Sequence, residues 1–256
     1  ALFLFEVRES AMNEKIRAFA VHFLISALVC SLFSCFAFWV WYPGPLSARL
    51  GLWHILLLLV MVDVVLGPLM TFIVYRKGKN SLFFDLSVIC LLQFVAFAYG
   101  VWTIAEGRPA WLVFNVDRFD LVRVSDLDRV SVNVREQYRR APLWGAGMVA
   151  VALPLLAKER SELLMDVLRT GRDIPFRPEL YVPLAQQKQA IRSKLRPLSE
   201  LSVLNTRWQL VGTLTKYPEA DCWLPLRVEN DSLVVLMTRE TAQIVAIVDL
   251  RAWKQG

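Results

Sequence analysis

Two polar side chains, Asp63 and Gln93, stand near the middle of long apolar stretches in this sequence of 256 residues. A carboxyl group at the centre of a bilayer costs about 3 kcal/mol unless it is neutralised or paired. A protonated carboxyl group can donate to an amide oxygen, so we expect the two side chains to form a hydrogen bond. We expect these side chains to bind another polar group and not to transport protons or ions, because a proton or ion pathway needs ionisable groups at several successive depths.

Two roles stay open for the Asp63 side chain. It can join two helices of one bundle, since polar pairs between membrane helices contribute about 0.6 to 2 kcal/mol. Alternatively, it receives a polar group from the membrane helix of a partner protein. Gly67 and Pro68 follow one turn later, and a proline there removes a backbone donor, which leaves a carbonyl group free for a neighbouring side chain.

Small side chains recur at every fourth residue of the first apolar stretch, at Ser26, Cys30 and Ser34. Such a stripe lets another helix approach closely, and that helix belongs either to this chain or to another protein. We also expect His22 to pair with Asp85, which lies at a similar depth. The candidate contacts with a partner helix are Ser26, Cys30, Ser34, Asp63, Gly67, Pro68 and Gln93.

The rest of the sequence has no arrangement typical of an active site. Both histidines lie before residue 105, so a nucleophile in the later part of the chain has no imidazole base. Cys222 is the one cysteine outside the apolar stretches, which predicts neither a disulfide framework nor a zinc site. The net charge is +6, but basic and acidic residues are mixed, unlike a nucleic-acid-binding surface. We expect no enzymatic activity, no cofactor and no nucleic-acid partner.

Three apolar stretches position these side chains. The hydrocarbon core of a bilayer is about 30 Å thick and takes roughly 20 helical residues. We therefore predict transmembrane helices at residues 18–42, 50–75 and 84–105, within a membrane region at 12–105. The apolar run at 143–156 is shorter and contains two glycines and a proline, which favours a buried strand. Residues 1–11 precede Met12, which is typical of a natural start, and we interpret them as an upstream segment.

The basic residues predict the orientation of the chain. Arg76, Lys77 and Lys79 lie in the loop between the second and third spans, and lysine and arginine are retained on the cytoplasmic side. The N-terminus is then cytoplasmic, and residues 106–256 are periplasmic in a bacterium with two membranes. Aromatic residues cluster at the opposite interface, as in aromatic belts. These residues are Trp39, Trp41, Tyr42, Trp53, Tyr99 and Trp102.

The region 106–256 reads as a soluble α+β domain with a mainly antiparallel sheet. Alternating apolar residues at 110–116 and 119–124 predict either a pair of strands or one bulged strand. The same pattern predicts a strand at 148–153 and a three-stranded meander at 223–228, 232–237 and 244–249. Helical spacing predicts a helix over 158–169 that ends at Gly171. About 150 residues are enough for a domain to bury its own core.

Several segments of the chain resemble the type IV pilin accessory proteins of Gram-negative bacteria. They are Phe38 to Leu46, His54 to Tyr75 with Gly67 and Pro68 inside, Ser81 to Leu86, and Tyr99 to Val124, and the similarity runs from Met12 over nearly the whole chain. The segment Trp144 to Gly147 departs from the family pattern, in which a proline follows the glycine.

This resemblance implies an inner-membrane protein that binds its cognate major pilin before assembly. It further implies help with subunit stability and with the balance of pilus extension and retraction, contact with other assembly-platform proteins, and neither cofactor nor reaction. The alternative is a membrane-anchored periplasmic sensor or ligand-binding protein. A sensor needs a cytoplasmic output module, and few residues lie between Met12 and the first span.

Overall fold

The computed structural model describes residues 2–127, 134–229 and 231–253, and for residues 2–11 the backbone alone. The chain forms two units. A helical unit comprises Ala1–Trp39 and Gly51–Ala105, and a sheet unit comprises Val40–Leu50 and Glu106–Gly256. The segment between the first two spans therefore belongs to the sheet unit.

The helical unit contains long apolar helices. In the described residues, three helices are long and apolar enough to cross a membrane, at Met12–Trp41, Leu52–Val74 and Leu82–Gly107, which confirms the prediction of three such helices. The second of these changes from α to π geometry and back. The elements are α1 (Leu2–Phe36) with a π-helical end at Ala37–Trp41, α3 (Leu52–Val60), a π-helical segment (Met61–Leu66), α4 (Gly67–Val74) and α5 (Leu82–Gly107).

The sheet unit contains eight strands in the residues described. They are β1 (Pro109–Asn115), β2 (Arg118–Arg123), β3 (Gly147–Val151), β4 (Tyr181–Pro183), β5 (Arg196–Pro197), β6 (Cys222–Val228), β7 (Asp231–Met237) and β8 (Ile244–Val248). The described part of this unit also contains the helices α2 (Leu46–Arg49), α6 (Glu136–Arg139), α7 (Ala157–Thr170), α8 (Lys188–Lys194) and α9 (Arg207–Leu214). It has 3₁₀ turns at Val124–Asp126, Ile174–Phe176, Pro178–Leu180, Leu184–Gln187 and Leu198–Val203.

The sheet is mixed, so the prediction of a mainly antiparallel sheet is wrong. The strand order is β4-β3-β1-β2-β6-β7-β8, with β5 beside β6, and the pairs β1–β3 and β2–β6 are parallel. Strand β2 ends at the end of the sheet at which β1 begins. Because β3 starts at that same end, it runs parallel to β1.

Other local predictions are confirmed. The first two strands form an antiparallel hairpin, and β6, β7 and β8 form the meander at the end of the chain. Helix α7 ends at Gly171, which has a φ of 69° and occupies the left-handed conformation that glycine adopts without strain. The apolar run beginning at Leu143 contains β3 and no helix, as its glycines and proline indicate.

Side chains on both faces of the sheet are buried. One face packs Leu112, Phe114, Phe119 and Leu226 into a core that also contains Leu46 of α2. The other face carries two smaller cores. One contains Trp111, Tyr138 and Tyr181, and the other contains Trp223, Leu201 and Leu236. This burial on both faces explains why β1 is apolar along its whole length.

Two arginine contacts attach the early segments to this sheet. Arg49, in α2, forms ion pairs with Asp231 and Asp249. Arg108 donates from Nη1 to the carbonyl oxygen of Pro142 at 2.5 Å, and its guanidinium group lies 5.6 Å from the ring centroid of Trp41. Both contacts lie within the sheet unit, which includes the segment Val40–Leu50.

Candidate functional site

The carbonyl group of Asp63 is freed by the local backbone. Asp63 lies in the π-helical segment, where each N–H bonds to the carbonyl five residues earlier, as the N–H of Gly67 does to Val62. The next donor in that register would come from residue 68. Because Pro68 has no N–H, the Asp63 carbonyl loses its helical partner.

Gln93 supplies the missing donor. Its Nε2 donates to the backbone oxygen of Asp63 at 2.9 Å, in place of the side-chain bond that we expected from the sequence. Gly67 makes this approach possible, because a Cβ at residue 67 would lie 1.8 Å from Gln93 Nε2. Asp63, Gly67, Pro68 and Gln93 thus form one structural unit that joins the second span to the third.

The Asp63 carboxyl group takes no part in that bond. The residue is 5% exposed, and its Oδ2 atom has no hydrogen-bond partner among the described residues. The Gln93 Oε1 atom is likewise buried without a hydrogen bond in that part of the chain. A buried polar atom without a partner costs about 1–3 kcal/mol, so it needs an explanation.

Asp63 and Gln93 both line a groove between the three spans. The groove has a volume of about 850 Å³ and is lined mainly by apolar side chains from all three helices. The polar residues that line the groove include His22, Ser26, Asp63 and Gln93. Arg17 and Lys77 are among the charged residues of the lining. Lys77 pairs with Glu14 at 2.5 Å.

The predicted pair of His22 and Asp85 does not form. The ring atom Nδ1 of His22 lies 2.7 Å from the hydroxyl oxygen of Thr71, and Asp85 pairs with Lys79 at 2.5 Å. Thr71 was missed by sequence reasoning, although it follows Asp63 by about two helical turns and so lies on the same side of the second span.

The small residues of the first span separate into different environments. Ser26 and Cys30 line the groove, whereas Ser34 is half-buried outside the groove lining. Cys30 is 2% exposed and packs with Leu59 and Val64 of the second span. Cys30 therefore supports packing within the chain, and Ser26 is the member of this stripe most available to a further helix.

The described residues of the sheet unit contain no metal-binding cluster and no cysteine activated as a nucleophile. No cluster of three or more histidine, cysteine or carboxylate side chains occurs there that could hold a metal ion. Cys222 is buried, donates from Sγ to the Met237 carbonyl oxygen at 3.2 Å, and has its pKa raised to about 12 by burial. At neutral pH its thiol is protonated and does not act as a nucleophile.

Replacing Gly67 with alanine is expected to break the contact between the second and third spans. The added methyl group displaces the Gln93 amide, and the unpaired Asp63 carbonyl then costs about 1–3 kcal/mol. Unfolding of the full-length protein in mixed micelles measures the loss.

A double-mutant cycle provides the control for this prediction. In a Gln93→Ala background the methyl group no longer meets the amide, so Gly67→Ala should cost much less there. Equal costs in both backgrounds would show that the glycine is needed for another reason.

Comparison with known proteins connects the chain with fimbrial assembly. Residues 10–51 match the family described as "Fimbrial assembly protein FimB". The chain is similar to "Fimbrial assembly protein, serogroup I" of Dichelobacter nodosus, with 33% identity over 184 residues, which cover 70% of this chain and 71% of that protein. It is also similar to the serogroup E1 protein of that organism, with 33% identity over 194 residues, 74% of this chain and 75% of that protein. No solved structure matches the chain.

Proposed function

The chain belongs to the family of fimbrial assembly proteins, and from this premise we propose that it is an accessory protein that binds its cognate major pilin in the membrane. In this role it stabilises the pilin before incorporation and assists the balance of pilus extension and retraction. The resemblance to pilin accessory proteins found in the sequence is confirmed at the level of the family by the relatives from Dichelobacter nodosus.

The groove between the three spans is the observation that carries this proposal. It runs beside a helix with small side chains, and it contains a buried carboxyl oxygen without a partner in the described residues. Small residues allow close approach of another helix, and polar side chains add hydrogen bonds between helices in a membrane. A pilus subunit that is anchored by a transmembrane helix before assembly offers such a helix.

We place the protein in the bacterial inner membrane with its N-terminus in the cytoplasm. The basic loop at Arg76, Lys77 and Lys79 supports this orientation. After three crossings the sheet unit lies in the periplasm, where it contacts the exported part of the pilin or of other assembly proteins. Alkaline phosphatase fused behind Gly256 should be active in cells, and a fusion that is active only as a cytosolic reporter would contradict this orientation.

A groove-filling variant tests pilin binding. Ser26 lines the groove, so Ser26→Trp should occupy the space that the pilin helix needs. We expect at least a tenfold loss of the major pilin that co-purifies with the tagged full-length protein. Ser31→Trp is the matched control, because Ser31 is exposed on the same helix and is not part of the groove lining.

The comparison between the two tryptophan variants decides the proposal. Wild-type protein and Ser31→Trp should capture similar amounts of pilin. If Ser26→Trp captures as much pilin as they do, the groove is not the binding site. If the wild-type protein captures none, the proposed function is wrong.

A further inference from the structure

Two large apolar side chains are exposed next to each other in one loop of the sheet unit. The loop lies between α6 and β3, and in it Leu143 is 68% exposed and Trp144 is 76% exposed. The residues on either side of this pair are half-buried, so the pair forms the tip of the loop. Gly145, with a φ of 68°, adopts the left-handed conformation that lets a glycine turn the chain directly after the pair.

Hydrogen bonds hold this loop beside residues at the ends of two membrane spans. Trp41, the last residue of the first span, donates from Nε1 to the carbonyl oxygen of Leu143 at 3.1 Å. Arg108, the residue directly after the third span, donates from Nη1 to the carbonyl oxygen of Pro142 at 2.5 Å. All four residues belong to the sheet unit. The loop is therefore attached within its own unit to both points at which the chain leaves a span.

These two points lie at the same surface of the membrane. A chain that crosses three times emerges on the same side after its first and third crossings, whichever side that is. The two spans have 30 and 26 residues, which at 1.5 Å per residue gives about 45 and 39 Å. A bilayer with its headgroups is about 40–45 Å thick, so the ends of these helices reach the headgroup region. Side chains of a loop that is bonded there meet lipid.

The types of the two exposed residues fit that environment. Tryptophan is enriched at membrane interfaces, where its ring contacts apolar chains and its N–H group bonds to headgroups or water. Leucine gains free energy on leaving water, and the acyl chains beneath the headgroups offer it an apolar surrounding. The backbone of the loop can stay among the polar headgroups, because its carbonyl groups at Pro142 and Leu143 already accept hydrogen bonds from the chain.

We propose that Leu143 and Trp144 insert into the interfacial layer of the lipid bilayer and form a fourth attachment of the chain to the membrane, besides its three spans. The occupant of this surface is lipid, and the inference is independent of pilin binding and of the side on which the sheet unit lies. The inserted loop keeps the end of the sheet at which β1 begins against the membrane. The opposite end of the sheet then faces water.

Trp208 provides a matched control for this inference. It is 87% exposed at the start of α9, which packs near Trp223 at the beginning of β6. Because β6 runs parallel to β2, and β2 ends beside Pro109, β6 begins at the end of the sheet opposite to the proposed lipid contact. Trp208 is therefore an exposed tryptophan of the same unit that should not meet lipid.

Photocrosslinking in lipid nanodiscs tests the inference. The full-length protein is placed in nanodiscs of phosphatidylethanolamine and phosphatidylglycerol, with p-benzoylphenylalanine in place of either Trp144 or Trp208. Both positions are exposed, so neither replacement should disturb folding. Mass spectrometry should find at least tenfold more lipid adduct at position 144 than at position 208. Equal yields of lipid adduct at the two positions would overturn the inference.

Quenching by brominated lipids gives a second measurement that needs only natural side chains. The fluorescence of the wild-type protein minus that of Trp144→Phe isolates the signal of Trp144, and Trp208→Phe isolates that of Trp208 in the same way. Lipids with bromine near the carbonyl end of the acyl chain should quench the Trp144 signal at least twofold and leave the Trp208 signal unchanged. Equal quenching of the two signals would show that the loop stays out of the bilayer. No pilin is present in either experiment, so their failure would leave the proposed function standing.

Discussion

Replacing Asp120 with alanine should destabilise the sheet unit by about 3 kcal/mol, because it leaves buried donors without their acceptor. Asp120 is 1% exposed, and its carboxylate forms an ion pair with Arg227 Nε at 2.6 Å and accepts a hydrogen bond from Asn115 Nδ2 at 3.2 Å. Arg118 also donates to it at 3.2 Å. Amide hydrogen exchange in β2 and β6 of the full-length protein should accelerate about a hundredfold.

This prediction tests one of the two parallel strand pairs. Asp120 and Arg227 are register partners between β2 and β6, so their ion pair holds together strands that are far apart in the sequence. Asp117→Asn is the matched control, since the Asp117 side chain is half exposed and lies 3.9 Å from Arg118. It should change exchange very little, because exposed ion pairs contribute about 0–1 kcal/mol. Unchanged exchange in Asp120→Ala would mean that the pairing depends on apolar packing alone.

Replacing Gly147 with alanine should cost about 2–3 kcal/mol through overpacking beside the other parallel pair. A Cβ there would lie 2.2 Å from Cζ3 of Trp111 and 3.1 Å from Cγ of Pro142. Trp111 is Gly147's register partner between β1 and β3. Its ring cannot move aside easily, because Tyr138 and Tyr181 pack edge-to-face against it at 5.7 and 5.9 Å. Exchange of the β1 and β3 amides measures the effect.

Two variants distinguish this clash from a general effect of losing a glycine. Gly147→Ala should cost less in a Trp111→Phe background, where a smaller ring leaves more space. Gly212→Ala, in α9, places its methyl group where no atom lies within 4 Å. It should stabilise the helix by about 0.5–1 kcal/mol, because alanine loses less backbone entropy on folding than glycine does. If Gly147→Ala destabilises the Trp111→Phe protein as much as the wild-type protein, the destabilisation does not come from a clash with the Trp111 ring.

Both the contact between the second and third spans and the sheet need a glycine where another side chain approaches the main chain closely. At Gly67 the missing side chain admits the Gln93 amide to the main chain, and at Gly147 it admits an aromatic ring to the neighbouring strand. The cost of adding a methyl group differs between the two sites, because an amide at the end of a flexible side chain can move aside and a packed indole ring cannot. We therefore expect the larger cost at Gly147.

Local properties of the sequence were sufficient to predict many elements. Hydropathy is additive over neighbouring residues, so the three long apolar helices could be placed from the chain alone. Strand alternation and turn residues located the hairpin of β1 and β2 and the meander of β6 to β8. Asp63, Gly67, Pro68 and Gln93 could be singled out because polar residues, glycine and proline are conspicuous in apolar helices.

Only the tertiary structure decided how these elements meet. The parallel pairs β1–β3 and β2–β6 join strands that are not consecutive in the chain, so no local pattern in the sequence indicates the strand direction there. The bond from Gln93 to the Asp63 carbonyl depends on π-helical register and on the approach of a second helix. Leu46, assigned by its position to a loop between spans, is 1% exposed in the core of the sheet unit. Hydropathy and periodicity describe each segment by itself, whereas direction, register and burial arise when distant segments share one free-energy minimum.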